Sequence, residues 1–321
     1  MIRILTERLV LSLSVLFVMS FVVYGLMGLM PGDPIDLMIS ADPKMTSGDA
    51  ERLRGLYGLD RPLVERYANW LLAALGGDLG YSRLHARPVF DVLWPALGNT
   101  VVLLGLAFGL SLAIALPAGI FAARRPYSKT DYIINFTAFA GISTPPFWLA
   151  LLLIIVFAVM WGILPAGGMG TLEQDGLWEN LRFLALPVMS LTIASVGGQT
   201  RYMRAAMIET LRQDYIRTAR AKGLSESRVI LGHGLRNALL PVVTIIALDF
   251  GALFSGALIT ETIFAYPGMG RLIFDAIMGN DYNLALVALL LATGLTLLAN
   301  IVADIAYVRL DPRITEKAKT S

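Results

Sequence analysis

Long apolar runs, almost free of charged residues, alternate with polar segments along this chain of 321 residues. Six such runs stand out, at about 9–30, 97–123, 133–164, 183–200, 238–264 and 284–308. A helix rises about 1.5 Å per residue, so roughly 20 apolar residues cross the hydrocarbon core of a bilayer. The fourth run is the weakest, because it is short and contains Pro187 and two glycines. The pattern predicts an all-α, polytopic membrane protein with six transmembrane helices.

The first apolar run is interpreted as a retained span. A secretory signal has a shorter apolar region and a small-residue cleavage site, whereas this run is followed by Pro31-Gly32-Asp33-Pro34. We therefore divide the chain into three parts. Residues 1–30 form an N-terminal segment with the first transmembrane helix, and residues 31–95 form an extracytoplasmic loop. Residues 96–321 form a five-helix transmembrane core with a cytoplasmic loop.

The loop 31–95 contains a predicted amphipathic helix. Its apolar positions recur at helical spacing, and they are Leu63, Tyr67, Trp70, Leu71 and Ala74. Asp60 and Pro62 favour a helix start just before them. We expect this helix to lie on the membrane or against the spans, with Trp70 as an interfacial anchor. In the third apolar run, Pro145-Pro146 predicts a break, and we expect that helix to be packed inside the bundle, where freed carbonyls find partners.

A strongly basic segment, residues 201–236, separates the fourth and fifth runs and is called the elbow below. Its first helix is marked by apolar residues at every fourth position: Met203, Met207, Leu211 and Tyr215. Gly223 offers the left-handed residue that ends a helix, and Ser225 can cap a second one. Pro241 closes or kinks that second helix. A small basic element of this kind suits a docking surface better than a catalytic site.

Charge distribution orients the chain in the membrane. Lys and Arg are concentrated in the segments that share a side with the N-terminus, and cytoplasmic loops carry such an excess. We therefore expect both termini and the elbow to lie in the cytoplasm. The composition agrees with a membrane protein, because 56% of residues are hydrophobic and only 16% are charged. The mean hydropathy is +0.67.

The sequence offers little metal or thiol chemistry. It contains no cysteine, which excludes disulfides, thiolate metal sites and a cysteine nucleophile. His85 and His233 are single histidines without a companion at ligand spacing, so we expect no metal site. The chain also lacks Gly-x-x-x-x-Gly-Lys followed by Ser or Thr, so it is not an ATP-hydrolysing subunit.

Two stretches of the elbow form a recognisable pattern, and they are Asp214-Tyr215-Ile216-Arg217-Thr218-Ala219-Arg220-Ala221-Lys222-Gly223-Leu224 and Arg236-Asn237-Ala238-Leu239-Leu240-Pro241. This pattern resembles the cytoplasmic loop signature of ABC importer permeases, specifically the oligopeptide, dipeptide and nickel permease family. Further stretches, in order, resemble the first permease subunit of that family: 31–34, 58–62, 77–82, 145–148, 260–264 and 267–270. So many motifs in order are a strong signal, although each alone is weak.

The resemblance implies a type I ABC importer permease fold and a place in the bacterial cytoplasmic membrane. It implies one of two non-identical permeases, coupled to two cytoplasmic ATPases that bind ATP and Mg, with an extracytoplasmic substrate-binding protein and surrounding membrane lipid. No nucleic acid and no cofactor in this chain are expected, nor is enzyme activity. Peptides are the substrates that the resemblance favours. Nickel chelates, glutathione and glycosides remain alternatives.

The resemblance also implies a coupling helix that sits in a groove of an ATPase. Its residues here are Asp214, Tyr215, Arg217, Thr218, Ala219, Arg220, Ala221, Lys222 and Gly223. Ala219 and Ala221 are small enough for close approach, Gly223 permits a sharp turn, and the cations can pair with acidic rims. Alternatively, these arginines reflect only topology and lipid head groups. His233 lies between two glycines, and this departs from the commonest family pattern. The two glycines predict a loosened second helix.

Two acidic residues fall within the fifth run. Asp249 is near its middle, where an ionisable group normally faces a partner or a wet cavity. It either lines the translocation pathway, favouring cationic substrates, or pairs within the helix bundle. Glu261, near the outer end, is expected to organise the periplasmic gate region.

Three other classes of protein share part of this pattern. A secondary transporter or channel fits the spans, but we find no internal repeat of the kind such folds often show. An intramembrane aspartyl protease would use Asp249 with Asp304, yet Asp304 is near the cytoplasmic end and neither has a Gly-x-Gly-Asp signature. A DNA-binding helix-turn-helix would account for the charge of the elbow, but its helices run directly into membrane spans.

Overall fold

The computed structural model describes residues 2–29, 60–170 and 172–310, together with the single residues 48, 52 and 55. Within these ranges the side chains at 2–5, 172–175, 177, 244, 247–256, 303–304 and 306–310 are outside the described part. The described chain is almost entirely helical. Its elements in order are α1 (Ile2–Gly28), α2 (Leu63–Leu75), β1 (Tyr81–Ser82), β2 (Arg87–Pro88), α3 (Val89–Arg124), α4 (Lys129–Ser143), α5 (Pro146–Leu153), α6 (Leu172–Leu211), α7 (Asp214–Ala221), α8 (Glu226–Arg228), α9 (Leu235–Ile263), α10 (Met269–Met278) and α11 (Tyr282–Leu310). Two π-helical stretches, Ile154–Met160 and Val229–Gly234, continue α5 and join α8 to α9.

Four helices of the described chain are long and apolar enough to cross a membrane. They are Thr6–Gly28, Val89–Arg124, Trp178–Leu211 and Tyr282–Val302. A bent pair, α4 with α5 and its π-helical continuation, makes a fifth if it is counted as one span. The remaining apolar run lies on α9, a helix of 29 residues whose central side chains are outside the described part. The membrane fold is therefore as expected, and the count of six spans stays a prediction.

The break at Pro145-Pro146 is present as a bend of 100° between α4 and the helix that follows. A residue before proline avoids the helical region, and Pro145 accordingly has ψ 132° while Pro146 opens α5. In the isolated chain this broken helix is packed on one side, where Ala150 and Leu153 are buried, whereas Phe136 on α4 is 75% exposed. Its packing inside the complete bundle stays a prediction.

α6 is the central helix of the bundle, with α3 and α4 packed along it. Close approach depends on glycine: a Cβ at Gly119 of α3 would lie 2.7 Å from the Cβ of Met203. A Cβ at Gly197 of α6 would overlap the backbone carbonyl of Ala138 on α4. Small residues of this kind let membrane helices approach closely, where dispersion contacts hold them together.

The amphipathic helix anticipated after Pro62 is observed as α2, and it packs on α1. Tyr67 is its buried residue. The Tyr67 hydroxyl lies 2.7 Å from the Ser20 hydroxyl, and its ring meets the edges of Phe21 and Tyr24. A hydroxyl that would otherwise be unpaired in apolar surroundings is thereby satisfied, which fixes α2 against the first span.

A short β-hairpin after α2 is fastened to the turn between α10 and α11. The two strands pair Tyr81 with Pro88 in antiparallel register. The buried carboxylate of Asp281 accepts hydrogen bonds from the Ser82 hydroxyl at 2.6 Å and from the Leu84 amide at 3.0 Å. Its other oxygen accepts from the amide of Leu284 at 3.3 Å, in the first turn of α11. One carboxylate thus joins two distant parts of the chain.

Candidate functional site

Within the elbow, a two-residue turn separates the end of α6 from a short helix. α6 ends at Leu211, and α7 begins at Asp214 and ends at Ala221. Gly223 follows with φ +76°, and its amide donates to the Arg220 carbonyl at 2.9 Å. The left-handed conformation predicted for Gly223 is confirmed. The predicted continuous stripe was wrong at its end, because the turn separates Leu211 from Tyr215, which is 43% exposed.

One face of α7 packs against other residues of the elbow. Ile216 and Ala219 are buried there beside Val229, with Leu211 and Leu224 around them. Ala219 is only 6% exposed. The close approach to a partner that was predicted for Ala219 is therefore corrected: its small side chain serves packing within this chain, whereas Ala221 is exposed.

The opposite face of α7 is polar and exposed. The residues predicted for coupling that lie on it or at its ends are Asp214, Tyr215, Arg217, Thr218, Arg220, Ala221, Lys222 and Gly223. Arg220 is already engaged within the elbow, since its guanidinium donates to both carboxylate oxygens of Glu226, at 2.7 and 3.2 Å. This hydrogen-bonded pair lowers the pKa of the Glu226 carboxyl below its usual value. The pair spans the turn at Gly223 and braces α7 against α8.

The second half of the elbow differs in detail from its prediction. Ser225 occupies the N-cap position of α8, but its side chain forms no capping bond with the described residues that follow. The stretch containing Gly232, His233 and Gly234 is π-helical, consistent with the expected loosening. Pro241 does not close the helix, since α9 runs through it to Ile263.

A buried ion pair, missed in the sequence analysis, lies at the elbow end of the bundle. The guanidinium of Arg204 on α6 donates from Nε and Nη2 to the two carboxylate oxygens of Asp131 on α4, each at 2.6 Å. The Tyr127 amide and the Asn135 side-chain amide also donate to that carboxylate, at 2.8 and 2.6 Å. The local signal was available: Ser128, three residues before Asp131, caps α4. Nothing local pointed to Arg204.

Glu261 lies at the other end of the bundle, in a buried polar site at the end of α9. Its side chain is 0% exposed. The Thr100 hydroxyl of α3 donates to it at 2.6 Å, and the amides of Gly270 and Arg271 donate at 2.7 and 3.2 Å. Those amides belong to the first turn of α10, where a negative charge is favoured by unpaired N–H groups and the helix dipole. Glu261 therefore ties α3, α9 and α10 together.

The motif Pro267-Gly268-Met269-Gly270 is shaped around this carboxylate. A Cβ at Gly268 would overlap the carboxyl group of Glu261, and a Cβ at Gly270 would lie 2.5 Å from the Cα of Leu258. The Asn99 side-chain amide donates to the Pro267 carbonyl at 2.8 Å. The space at these two positions thus excludes a Cβ, and only glycine fits without a shift of its neighbours.

The remaining candidate residues and cavities lie apart from these two sites. Asp249 lies on α9, but its side chain and that of Asp304 are outside the described part, so the pathway and protease interpretations of these residues stay untested. Among the described residues no group of three or more His, Asp or Glu is placed to hold a metal ion. An open groove of about 450 Å³ between α3 and α6 is apolar, lined by Gly105, Gly109 and Val188 among others.

Comparison with known proteins identifies the family. Residues 115–316 match the family described as binding-protein-dependent transport system inner membrane component, and residues 1–103 match the N-terminal part of such proteins. The oligopeptide transport system permease protein AppB of Bacillus subtilis (strain 168) is 40% identical over 96% of this chain and 98% of that protein. The dipeptide transport system permease protein DppB of Alkalihalophilus pseudofirmus is 36% identical over 96% of this chain and 98% of that protein.

Solved structures agree with this at the level of fold. A chain from the inward-facing MetNI methionine ABC transporter superposes with a TM-score of 0.57 and 17% sequence identity, over 68% of this chain and 96% of that one. An amino acid ABC transporter gives a TM-score of 0.55 at 14% identity, over 68% and 94%. The chain therefore belongs to the family of binding-protein-dependent transport system inner membrane components, and it is a permease subunit of the type I ABC importer class.

Proposed function

We propose that this chain forms half of the translocation pathway of an ATP-driven importer for peptides. The proposal is supported by the relatives, which are named as oligopeptide and dipeptide permeases and match along nearly the full chain. The second half would be a homologous permease. A binding protein would deliver the substrate from outside, and two ATPases in the cytoplasm would bind ATP and Mg.

We infer that α7 is the element that docks on an ATPase. The observation that carries this is its two-sided construction: Ile216 and Ala219 fasten one face to the elbow, and the other face is polar and exposed. Arg217 and Lys222 on the exposed face are placed to meet carboxylates of a partner. Arg220 supports the docking face from within the elbow instead, through Glu226.

This assignment sets the orientation that we propose. The elbow, the ends of α3 and α6 that adjoin it, and both termini lie in the cytoplasm, where ATP is available. The hairpin, α2 and the Glu261 site then lie towards the extracytoplasmic side. There Glu261 would hold the outer ends of α3, α9 and α10 in register as part of the gate region.

The substrate class is tested by uptake into proteoliposomes that contain the whole importer, with its binding protein outside. We expect uptake of a labelled tripeptide that requires ATP inside and is competed by unlabelled peptides. Competition by a nickel chelate, glutathione or a glycoside, but not by peptides, would reassign the solute. Uptake driven by an ion gradient without ATP would contradict the importer itself.

The same assay examines Asp249. If it lines the pathway, Asp249→Asn should lower uptake of a cationic tripeptide relative to a neutral one, because an unpaired carboxylate in a low-dielectric pathway attracts a cation strongly. Unchanged selectivity between the two peptides would reject the pathway role and leave a partnership within the bundle.

A further inference from the structure

The Asp131–Arg204 ion pair joins α4 to the end of α6, which is the first part of the elbow. Leu211, the last residue of α6, follows Arg204 by seven residues, which is about two helical turns. The Asp131 side chain is 3% exposed and that of Arg204 is 22% exposed. The carboxylate accepts from Arg204 in bidentate fashion, and from Tyr127 and Asn135 as well. The ion pair is thus a contact of fixed direction between α4 and the elbow end of α6, and N–H donors of three residues surround its carboxylate.

Above the ion pair, α4 and α6 stay in contact in antiparallel register. The pairs in contact are Asp131 with Arg204, Ala138 with Gly197, and Gly141 with Ile193. In the last two, a glycine meets the backbone carbonyl of the other helix, so that a Cβ at Gly141 would lie 2.9 Å from the Ile193 carbonyl oxygen. The two helices therefore have little freedom to slide along this length, which extends from the elbow to the bend at Pro145.

A buried ion pair needs a reason beyond stability. Its desolvation often offsets the attraction between the charges, and apolar residues of similar volume hold helices together equally well. What a bidentate guanidinium–carboxylate pair adds is a fixed register and orientation. The ion pair joins α4 to α6 within the elbow. A fixed register at this point allows a movement of the elbow to be transmitted to α4.

We infer that Asp131 and Arg204 are positioning residues of the coupling step: they lock α4 to α6, so that a displacement of the elbow is carried to the bend at Pro145. The inference rests on the proposed docking of α7 on an ATPase. Without the ion pair, α6 moves with the elbow while α4 lags, and ATP hydrolysis proceeds with less transport.

The experiment uses the whole importer with two spin-labelled cysteine pairs in this chain, which has no native cysteine of its own. The pair Lys129→Cys with Ser227→Cys reports the distance between α4 and the elbow, and the pair Arg61→Cys with Ser227→Cys reports the distance between the elbow and the segment just before α2. Distances are compared without nucleotide and with ATP trapped. In the native background, we expect the first distance to stay constant while the second changes.

Arg204→Gln should make the first distance depend on nucleotide. The ATP hydrolysed per tripeptide transported should rise roughly 2- to 30-fold, the range in which mutations along contact networks alter coupling. Arg204→Lys keeps the charge without the planar fork and should restore part of the native ratio. Arg201→Gln is the matched control, because it removes an exposed cation one turn away on α6, outside the ion pair, and it should behave as native.

Different outcomes test the role of the ion pair and the role of the elbow in coupling. If Arg204→Gln and Asp131→Asn keep both the constant distance and the native ratio of ATP to peptide, the inference is overturned and the pair is only structural. If the second distance fails to respond to ATP in the native importer, the proposed coupling role of the elbow is itself contradicted. The distance measurements need no solute, so an error in the substrate class leaves them interpretable.

Discussion

Gly223→Val is expected to abolish most ATP-driven uptake while the protein still inserts and assembles. Gly223 has φ +76° at the end of α7, and a side chain with a Cβ pays roughly 1 to 2 kcal/mol in that conformation, more if it is branched. To relieve the strain, the turn must change and re-aim α7. Since each 1.4 kcal/mol corresponds to about tenfold, we expect uptake to fall roughly 5- to 30-fold in the proteoliposome assay.

Two control variants make this result specific. Gly223→Asn should keep much of the uptake, because asparagine adopts the left-handed region more readily than other residues. Gly232→Ala should be nearly silent, since a Cβ there meets only Arg228, at 3.9 Å. Full uptake by Gly223→Val would show that coupling does not depend on the left-handed turn.

The second large effect is expected at the Glu261 site, as a loss of stability that is not additive. Glu261→Ala leaves the Thr100 hydroxyl and the amides of Gly270 and Arg271 buried without their acceptor, at roughly 1 to 3 kcal/mol for each that stays unpaired. Gly268→Ala drives a methyl group into the same carboxyl group. Each single variant should unfold at a clearly lower temperature in detergent than the native protein.

The double variant distinguishes this geometry from general damage. With the Glu261 carboxyl removed, the methyl group of Gly268→Ala has space, so Glu261→Ala with Gly268→Ala should be no less stable than Glu261→Ala alone. Residues in contact show such coupling, whereas distant ones add. Additive losses would mean that the two positions do not meet. Gly98→Ala, on an exposed part of α3 where an added Cβ meets nothing within 4 Å, should not lower the melting temperature.

The membrane helices and the elbow were predictable because their signals are local. Apolar runs mark the spans, and Gly223 was recognisable as a helix end. Proline was harder to interpret: Pro241 removes one backbone donor and is accommodated in α9, whereas Pro145 is held in an extended conformation by Pro146 and breaks the helix. Two adjacent prolines therefore change the path of the chain where single ones do not.

The polar sites that join the helices were not predictable from sequence patterns. Asp131 meets Arg204 across 73 residues, Thr100 meets Glu261 across 161, and Ser82 meets Asp281 across 199. No periodicity reports a contact over such separations, since it depends on how whole helices pack. Ala219 shows the same limit on a smaller scale: its size suggested an interface, but the packing of α7 on Val229 decided which way it faces.

Site-specific photo-cross-linking tests most directly whether the exposed face of α7 contacts an ATPase. A photoactivatable cross-linker is attached to a single cysteine in the assembled importer. The cysteine is Thr218→Cys, on the exposed face of α7, or Arg61→Cys, on the opposite side of the membrane in the proposed orientation. We predict an adduct with an ATPase subunit, identified by mass spectrometry, from Thr218→Cys and not from Arg61→Cys. An intact complex in which Thr218→Cys forms adducts only with lipid, or in which both positions label the ATPase equally, would contradict the account.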